Sequence, residues 1–333
     1  MPQMKYYYEL TISSSPHAHN SHTTQHIMRD VLIALVPALI GSVYFFGPRA
    51  LVVTLVSVLA CFLFEKLWCR FMKQDDKTYD LSACVTGVLL AFVCPPTIEY
   101  WQLIIGDFFA IILVKMLFGG IGRNLFNPAL AARAFLFSWP VAMSTWVKPG
   151  WENQAAVFGD VDIVTSATPL ANMHQGLMPE ASIPDMFLGN IGGCIGETSA
   201  LLLLLGLVYL LVRKVITIRI PFAYIGTVAV LTFLFPLGND RLPWMAAQLF
   251  SGGLMLGAIF MATDYVTSPV TPLGQVVFGV GCGILTVLIR YFGGFPEGVS
   301  YAILIMNVTV GLLDKVGMPR RFGAAREKGG AKA

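Results

Sequence analysis

The sequence predicts an all-α polytopic membrane protein, with ten transmembrane helices in two sets of five and with broken helices in each set. Three observations predict this class. Of 333 residues, 56% are hydrophobic and only 12% charged, about half the charged share of an ordinary soluble domain. Mean hydropathy is +0.70, and the apolar residues lie in long runs such as 201–212 and 50–64. Finally, sliding the chain against itself by 174 positions aligns Cys94-Pro95-Pro96-Thr97 with Ser268-Pro269-Val270-Thr271. The same ungapped shift aligns Phe118-Gly119-Gly120 with Phe292-Gly293-Gly294. Five spans is an odd number, so a second copy enters the membrane from the opposite side, and the repeat is inverted. The low charge excludes a self-contained soluble enzyme, a nucleic-acid binder and a secreted disulfide scaffold.

A helix crosses a bilayer with about 20 mostly apolar residues. The first two spans are read at 27–46 and 50–72. The third, 81–94, is short and ends at Cys94-Pro95-Pro96. The fourth covers 100–118. The fifth, 124–143, is interrupted by Asn127-Pro128, Arg133 and Pro140. The sixth and seventh are placed at 192–213 and 220–237. The eighth, 246–262, runs into Asp264 and stops before Ser268-Pro269. The last two are 272–292 and 299–316. Short or Gly/Pro-interrupted spans at matching places in two halves point to a buried site at their interface. The chain thus divides into an N-terminal tail (1–26), a first five-helix repeat (27–146), a long loop (147–191), a second repeat (192–318) and a basic C-terminal tail (319–333).

Basic residues concentrate on the cytoplasmic side of membrane proteins. With the N-terminus placed inside, seventeen Lys and Arg fall in inner segments, Lys115 among them. Four fall in outer segments: Arg49, Lys148, Arg241 and Arg290. Arg133 stays within a span. Both termini are expected in the cytoplasm and the 147–191 loop outside. That loop is acidic, with one Lys against Glu152, Asp160, Asp162, Glu180 and Asp185. The first 26 residues show no apolar core of a cleavable signal peptide. The six cysteines form no CxxC pair and lie in or beside apolar runs. They are read as small buried hydrophobes rather than cluster or zinc ligands.

Candidate chemistry begins in the outer loop, at Asp162-Ile163-Val164-Thr165-Ser166-Ala167-Thr168. By composition this is a turn. Its spacing, an aspartate followed by Thr165, Ser166, Ala167 and a final threonine, resembles the acceptor motif of bacterial flavin transferases. Those enzymes join the phosphate of FMN to the last threonine, which requires a hydroxyl on a thin, exposed backbone. Ionisable groups within spans are costly and are functional hypotheses by default. Asp107 and Asp264 are read as members of an ion path, and Arg133 as the partner of a carboxylate. His22 and His26 have the i, i+4 spacing of metal ligands, but a His-rich tail without a metal is the preferred reading. The Arg320–Lys332 run is expected to meet anionic headgroups or a partner subunit.

The stretch from Gly119 through Arg123-Asn124-Leu125-Phe126-Asn127-Pro128 to Arg133-Ala134-Phe135 resembles a signature of one family. Ser14-Ser15-Pro16-His17 and Met261-Ala262-Thr263-Asp264 agree with it. The resemblance, over about residues 10–318, is to the RnfD component of the Rnf electron-transport complex. It is similar, more distantly, to the NqrB component of the sodium-pumping NADH:quinone reductase. This resemblance implies a ten-helix inverted repeat of the urea and ammonium channel type. It implies covalent FMN on Thr168, with Asp162 as the motif aspartate. In the quinone reductase relative a second, unattached flavin (riboflavin) sits near the broken helix, and the matching positions here are Asn124 and Asn127. It further implies a multi-pass subunit of the inner membrane, passing electrons between ferredoxin and NAD with Na⁺ or H⁺ movement. The chain carries no GxGxxG fingerprint and no cluster cysteines. Partner subunits would therefore hold the iron–sulfur centres, the nicotinamide site and a further flavin, and a flavin transferase would modify this chain. A phosphate in an acidic loop needs help, and the expected donors are backbone groups near Gly192-Gly193. The rivals are a small-solute channel with no redox role, since fold does not fix function, and a non-redox membrane anchor.

Overall fold

The computed structural model describes residues 23–73, 78–147, 149–150, 168–238, 240–294 and 297–317. Every element among these residues is helical. In chain order they are α1 (Thr24–Phe46), α2 (Pro48–Phe71), a 3₁₀ turn (Thr78–Asp80), α3 (Ser82–Phe92) and α4 (Tyr100–Phe108), which continues as a π-helix (Phe109–Met116). Then come α5 (Pro128–Leu136), α6 (Pro140–Met143), α7 (Pro169–His174), α8 (Ile183–Leu188) and α9 (Ala200–Val212). The remainder are α10 (Arg219–Leu234), α11 (Arg241–Phe250), α12 (Leu254–Leu256) with a second π segment (Gly257–Met261), α13 (Pro272–Phe292) and α14 (Val299–Gly317).

Among the described residues, three helices, α1, α2 and α13, are long and apolar enough to cross a membrane, and α11 with α12 and its π segment (to Met261) forms a fourth candidate bent by 64°. Leu51, Leu55, Leu59, Leu63 and Leu67 form an exposed i, i+4 stripe on α2. Water would penalise that stripe, and hydrocarbon or a partner helix would not.

Several expected boundaries shift. The fifth span is not one helix: it splits into α5 and α6 around Phe137–Trp139. The sixth begins at Ala200 rather than 192, because 192–199 is not helical. The described part of the 147–191 loop holds two short helices, α7 and α8, capped by Thr168 and Ser182. Arg49 and Arg290, expected in outer segments, and Lys115, expected in an inner one, are all buried.

The broken helices explain two of those burials. In hydrocarbon, backbone groups freed by a break must find partners within the protein. At the end of α3, the carbonyl of Phe92 accepts from Gly196 N–H (2.9 Å) and that of Cys94 from Ile195 N–H (3.0 Å). Arg49 Nε donates to Pro96 O (2.9 Å) and its Nη2 to Ile98 O (3.3 Å). The α11/α12 break is served likewise, with Arg290 donating to Gln248 O (2.6 Å) and Ser251 O (3.2 Å). Fixed guanidinium donors thus replace the water a loop would use.

Small residues bring the helices close, as membrane packing requires. A side chain at Gly206 of α9 would stand 2.5 Å from the Ala34 carbonyl of α1. One at Gly87 of α3 would stand 2.9 Å from Ser57 O of α2. The main buried core runs through both halves, from Leu35 and Leu90 to Phe278 and Ile303.

Candidate functional site

Two pockets lie at opposite ends of α9. The 13 residues of that helix separate them by about 20 Å at 1.5 Å per residue. At the start of α9, Thr168, Gly192, Gly193, Glu197, Thr198 and Glu297 line a small pocket. At its other end, Leu210, Val215 and Ile216 join a larger cleft with Asn124, Asn127 and Asp264.

Thr168 does not stand on an exposed stretch as the motif leads one to expect: it is buried and caps α7, its Oγ1 accepting from Ala171 N–H at 3.3 Å. The α7 helix is held by Leu170 and Met173, which pack with Trp244. Gly252, at φ +65°, permits this: a side chain there would meet Leu170 Cδ1 at 2.3 Å. Gly193 allows a close approach as well, since a Cβ there would stand 3.1 Å from Thr198 Cγ2. Asp162, Thr165, Ser166 and Ala167 lie outside the described residues.

Deeper in this pocket, Arg133 of α5 donates to Glu197 Oε1 (2.8 Å), to Ser300 Oγ (3.2 Å) and to Glu297. The expected carboxylate partner of Arg133 is therefore a pair. Cys194, Glu197 and Glu297 also bring their ligand atoms within 4.8 Å of one another, but the guanidinium takes the place a cation would. Arg133 engages one oxygen of each carboxylate, while Glu197 Oε2 is buried without a hydrogen-bond partner, and both glutamates line the pocket with Thr168.

The cleft at the far end is apolar on one side (Ile27, Val31, Leu89, Phe260) and polar on the other. It is an open cleft, about 790 Å³ of space when its mouth is counted. Asn127 Oδ1 accepts from the N–H groups of Ala129 and Leu130, capping α5, and its Nδ2 donates to Met261 O (3.3 Å). Asn307 of α14, with its amide turned to suit, donates to Thr267 O (3.0 Å) and accepts from Asn127 N–H (3.2 Å). Asn127 therefore ties the break after α12 to α5 and α14. Asn124 Nδ2 donates to Phe126 O (3.1 Å). Asp264 accepts from Thr267 Oγ1 (3.0 Å).

Of the two expected ion-path acids, only Asp264 lines the cleft. Asp107 is fully buried between α2 and α4, where Ser57 Oγ (2.6 Å) and Cys61 Sγ (3.2 Å) donate to its Oδ1. Of the proposed His pair, His26 is spent on the start of α1, its ring 2.9 Å from Thr23 Oγ1. His22 and the C-terminal basic run lie outside the described residues.

Residues 11–323 match the NQR2, RnfD, RnfE family. The chain belongs to this family. The D component of the Na⁺-translocating ferredoxin:NAD⁺ oxidoreductase complex of Acetobacterium woodii is 45% identical, covering 97% of this chain and 98% of its own. The D component of the proton-translocating ferredoxin:NAD⁺ oxidoreductase complex of Clostridium ljungdahlii is 42% identical over 95% of this chain and 97% of its own. The D component of an ion-translocating oxidoreductase complex of Actinobacillus succinogenes is 35% identical over 94% and 97%. The apolar helices and the membership of this family make the chain a membrane protein.

Both pockets fall within the residues matched by the NQR2, RnfD, RnfE family. Three buried features are not foreseen from the sequence. Lys115 Nζ donates to Glu65 Oε1 (2.8 Å) and Ser82 Oγ (2.6 Å) at the edge of the cleft. Asp30 of α1 accepts from Tyr209 (3.2 Å) and from Arg213 at the end of α9. Arg49 and Arg290 serve the helix breaks. A signal for the first is present: Glu65 and Lys115 are opposite charges inside apolar runs, which on cost alone should find each other.

Proposed function

We propose that this chain is a membrane flavoprotein subunit of an ion-translocating ferredoxin:NAD⁺ oxidoreductase complex, relaying electrons in step with Na⁺ or H⁺ movement. The names and full-length coverage of its relatives support the class of complex. Those relatives move different ions at nearly equal identity to this chain, so overall similarity does not select the ion. The chain would not turn over alone. Iron–sulfur, nicotinamide-reacting and further flavin-carrying subunits supply what it lacks, and no nucleic acid is involved.

FMN, joined through its phosphate to Thr168 Oγ1, is the cofactor we assign, with Asp162, Thr165, Ser166 and Ala167 as the transferase's recognition motif. The observation that carries this is Thr168 itself: the last residue of the motif stands at a pocket edged by Gly192 and Gly193. What supports a phosphate contact here is the glycine backbone of Gly192 and Gly193 beside Thr168; the pocket is only about water-sized, so the flavin ring would lie outside it. Bound there, FMN supplies one- and two-electron chemistry. The chain's own contributions are to fix the hydroxyl at the start of α7 and to hold Glu197 and Glu297 on Arg133, whose single positive charge offsets one of the two carboxylates. The far cleft, with Asn124 and Asn127 in its wall, is the place we assign to a non-covalent riboflavin.

For the architecture, we infer ten spans in an inverted repeat of the urea and ammonium channel type. The shift of 174 pairs the elements in order: α1 with α9, α2 with α10, α3 with α12 and its π segment, α4 with α13, and α5 with α14. Basic residues then place both termini in the cytoplasm and Thr168 outside the inner membrane. The channel reading without redox chemistry has no use for the Thr168 motif.

The test is direct. The chain made with a flavin transferase and run on a denaturing gel should fluoresce under ultraviolet light, and Thr168→Ala should abolish the band. A dark wild-type band, or flavin mapped to another residue, overturns the assignment.

A further inference from the structure

Asp107 has fewer donors around it than a carboxylate needs. An ionised carboxylate offers about four lone-pair sites. Ser57 Oγ lies between Asp107 Oδ1 (2.6 Å) and Gly87 O (2.9 Å), and its single hydrogen serves only one of them. The Cys61 thiol, a weak donor, is 3.2 Å away. Oδ2 is buried with no hydrogen-bond partner. The titratable and charged groups around it do not make up the deficit. From α2 come Cys61 and Glu65, from α3 Cys84 and, beyond its end, Cys94. Lys115 of the π segment is held by Glu65, and Arg133 of α5 by Glu197 and Glu297. A buried carboxylate without a cation takes a proton. A hard metal cation fits poorly, since Asp107, Ser57 and the Gly87 carbonyl offer few oxygens and Cys61 is soft.

A file of exchangeable groups leads to this acid. At the turn before α3, Asp80, which is half-buried, accepts from Ser82 Oγ at 2.5 Å. Ser82 Oγ accepts from Lys115 Nζ at 2.6 Å, and Lys115 donates to Glu65 at 2.8 Å. Glu65 and Cys61 are four residues apart on α2 and so share one face of that helix, though no hydrogen bond joins them in this state. Cys61 reaches Asp107.

We propose that Asp107 is a proton-carrying acid, supplied from the Asp80 end of the bundle through Ser82, Lys115, Glu65 and Cys61. One proton enters from water at Asp80 and one arrives at Asp107, with no bond between heavy atoms changed. This deepens the ion-coupled reading above and rests on it only for its purpose in the complex.

The test is infrared spectroscopy of the purified full chain during exchange into D₂O. The wild type should show a carboxylic-acid C=O band that Asp107→Asn removes. Asp80→Asn should leave that band in place and slow its deuterium shift severalfold. Cys61→Ser, with a stronger donor, should move the band without removing it. A spectrum unchanged by Asp107→Asn overturns the proton on Asp107, and an unchanged exchange rate in Asp80→Asn overturns the route. Should Asp107→Asn fail to fold, the Cys61→Ser shift decides, and its absence counts against the proposal. The fluorescent gel band is read in parallel, so loss of the flavin assignment is told apart from loss of this one.

Discussion

Lys115 and Glu65 are each about 3% exposed, and a buried pair of this kind behaves asymmetrically. Removing one partner strands a charge and costs about 3–5 kcal/mol, whereas replacing both with apolar residues of similar size is near neutral. Lys115→Met should therefore lower the thermal midpoint well below that of Lys115→Met/Glu65→Met. Equal midpoints would mean that the pair is solvated in a way its burial does not suggest. The same residues show why part of the site is hidden in the sequence. An apolar run reports that a segment is buried, and basic residues near its end read as inner-side charges. Which opposite charge a buried lysine meets depends on packing between α2, α3 and α4, which no local pattern carries. The roles of Arg49 and Arg290 are hidden for the same reason, because a carbonyl exposed by a distant helix break leaves no trace beside the arginine. Thr168 is legible because its signal is a contiguous motif.

Among the elements, α13 is legible at its observed ends, 272–292, since Thr271 caps it, Pro272 opens it and Gly293 closes it. All those signals are local. The start of α9 lies later than its hydropathy suggests. Gly192-Gly193-Cys194-Ile195-Gly196 is apolar enough for a span, yet its backbone is spent on Phe92 and Cys94. The pairing of α1 with α9 depends on Gly206, whose missing side chain lets the Ala34 carbonyl approach. Gly206→Val overpacks that contact and should cost about 1–3 kcal/mol, read as a lower midpoint in thermal unfolding. A midpoint at the wild-type value would show that α1 and α9 part without penalty.

For the whole molecule, two pockets at the ends of one helix mean that the two proposed flavins would be lost independently. Asn127 caps α5 and holds the break after α12, but it has no contact with Thr168. Losing a side-chain cap costs about 0.5–2 kcal/mol, so Asn127→Ala should still fold. It should lower the flavin released on denaturation while leaving the covalent band on the gel intact. If the released flavin does not change, the cleft at Asn127 is not where a free flavin binds.

Lys115 sits in the π segment that continues α4, and this has a consequence for how the chain tolerates deletion. A π turn holds an extra residue relative to an α turn and is often found at functional sites. Deleting one residue within the segment, such as Ile112, would let it relax to the α form while the turns on either side stay close to register, because the extra residue is what the π turn absorbs. The same deletion in an ordinary α segment would rotate everything beyond it by about 100°. The π segment is therefore where this helix best tolerates a change of length, and the turn around Gly119-Gly120 leading to Asn124 and Asn127 would keep its aim.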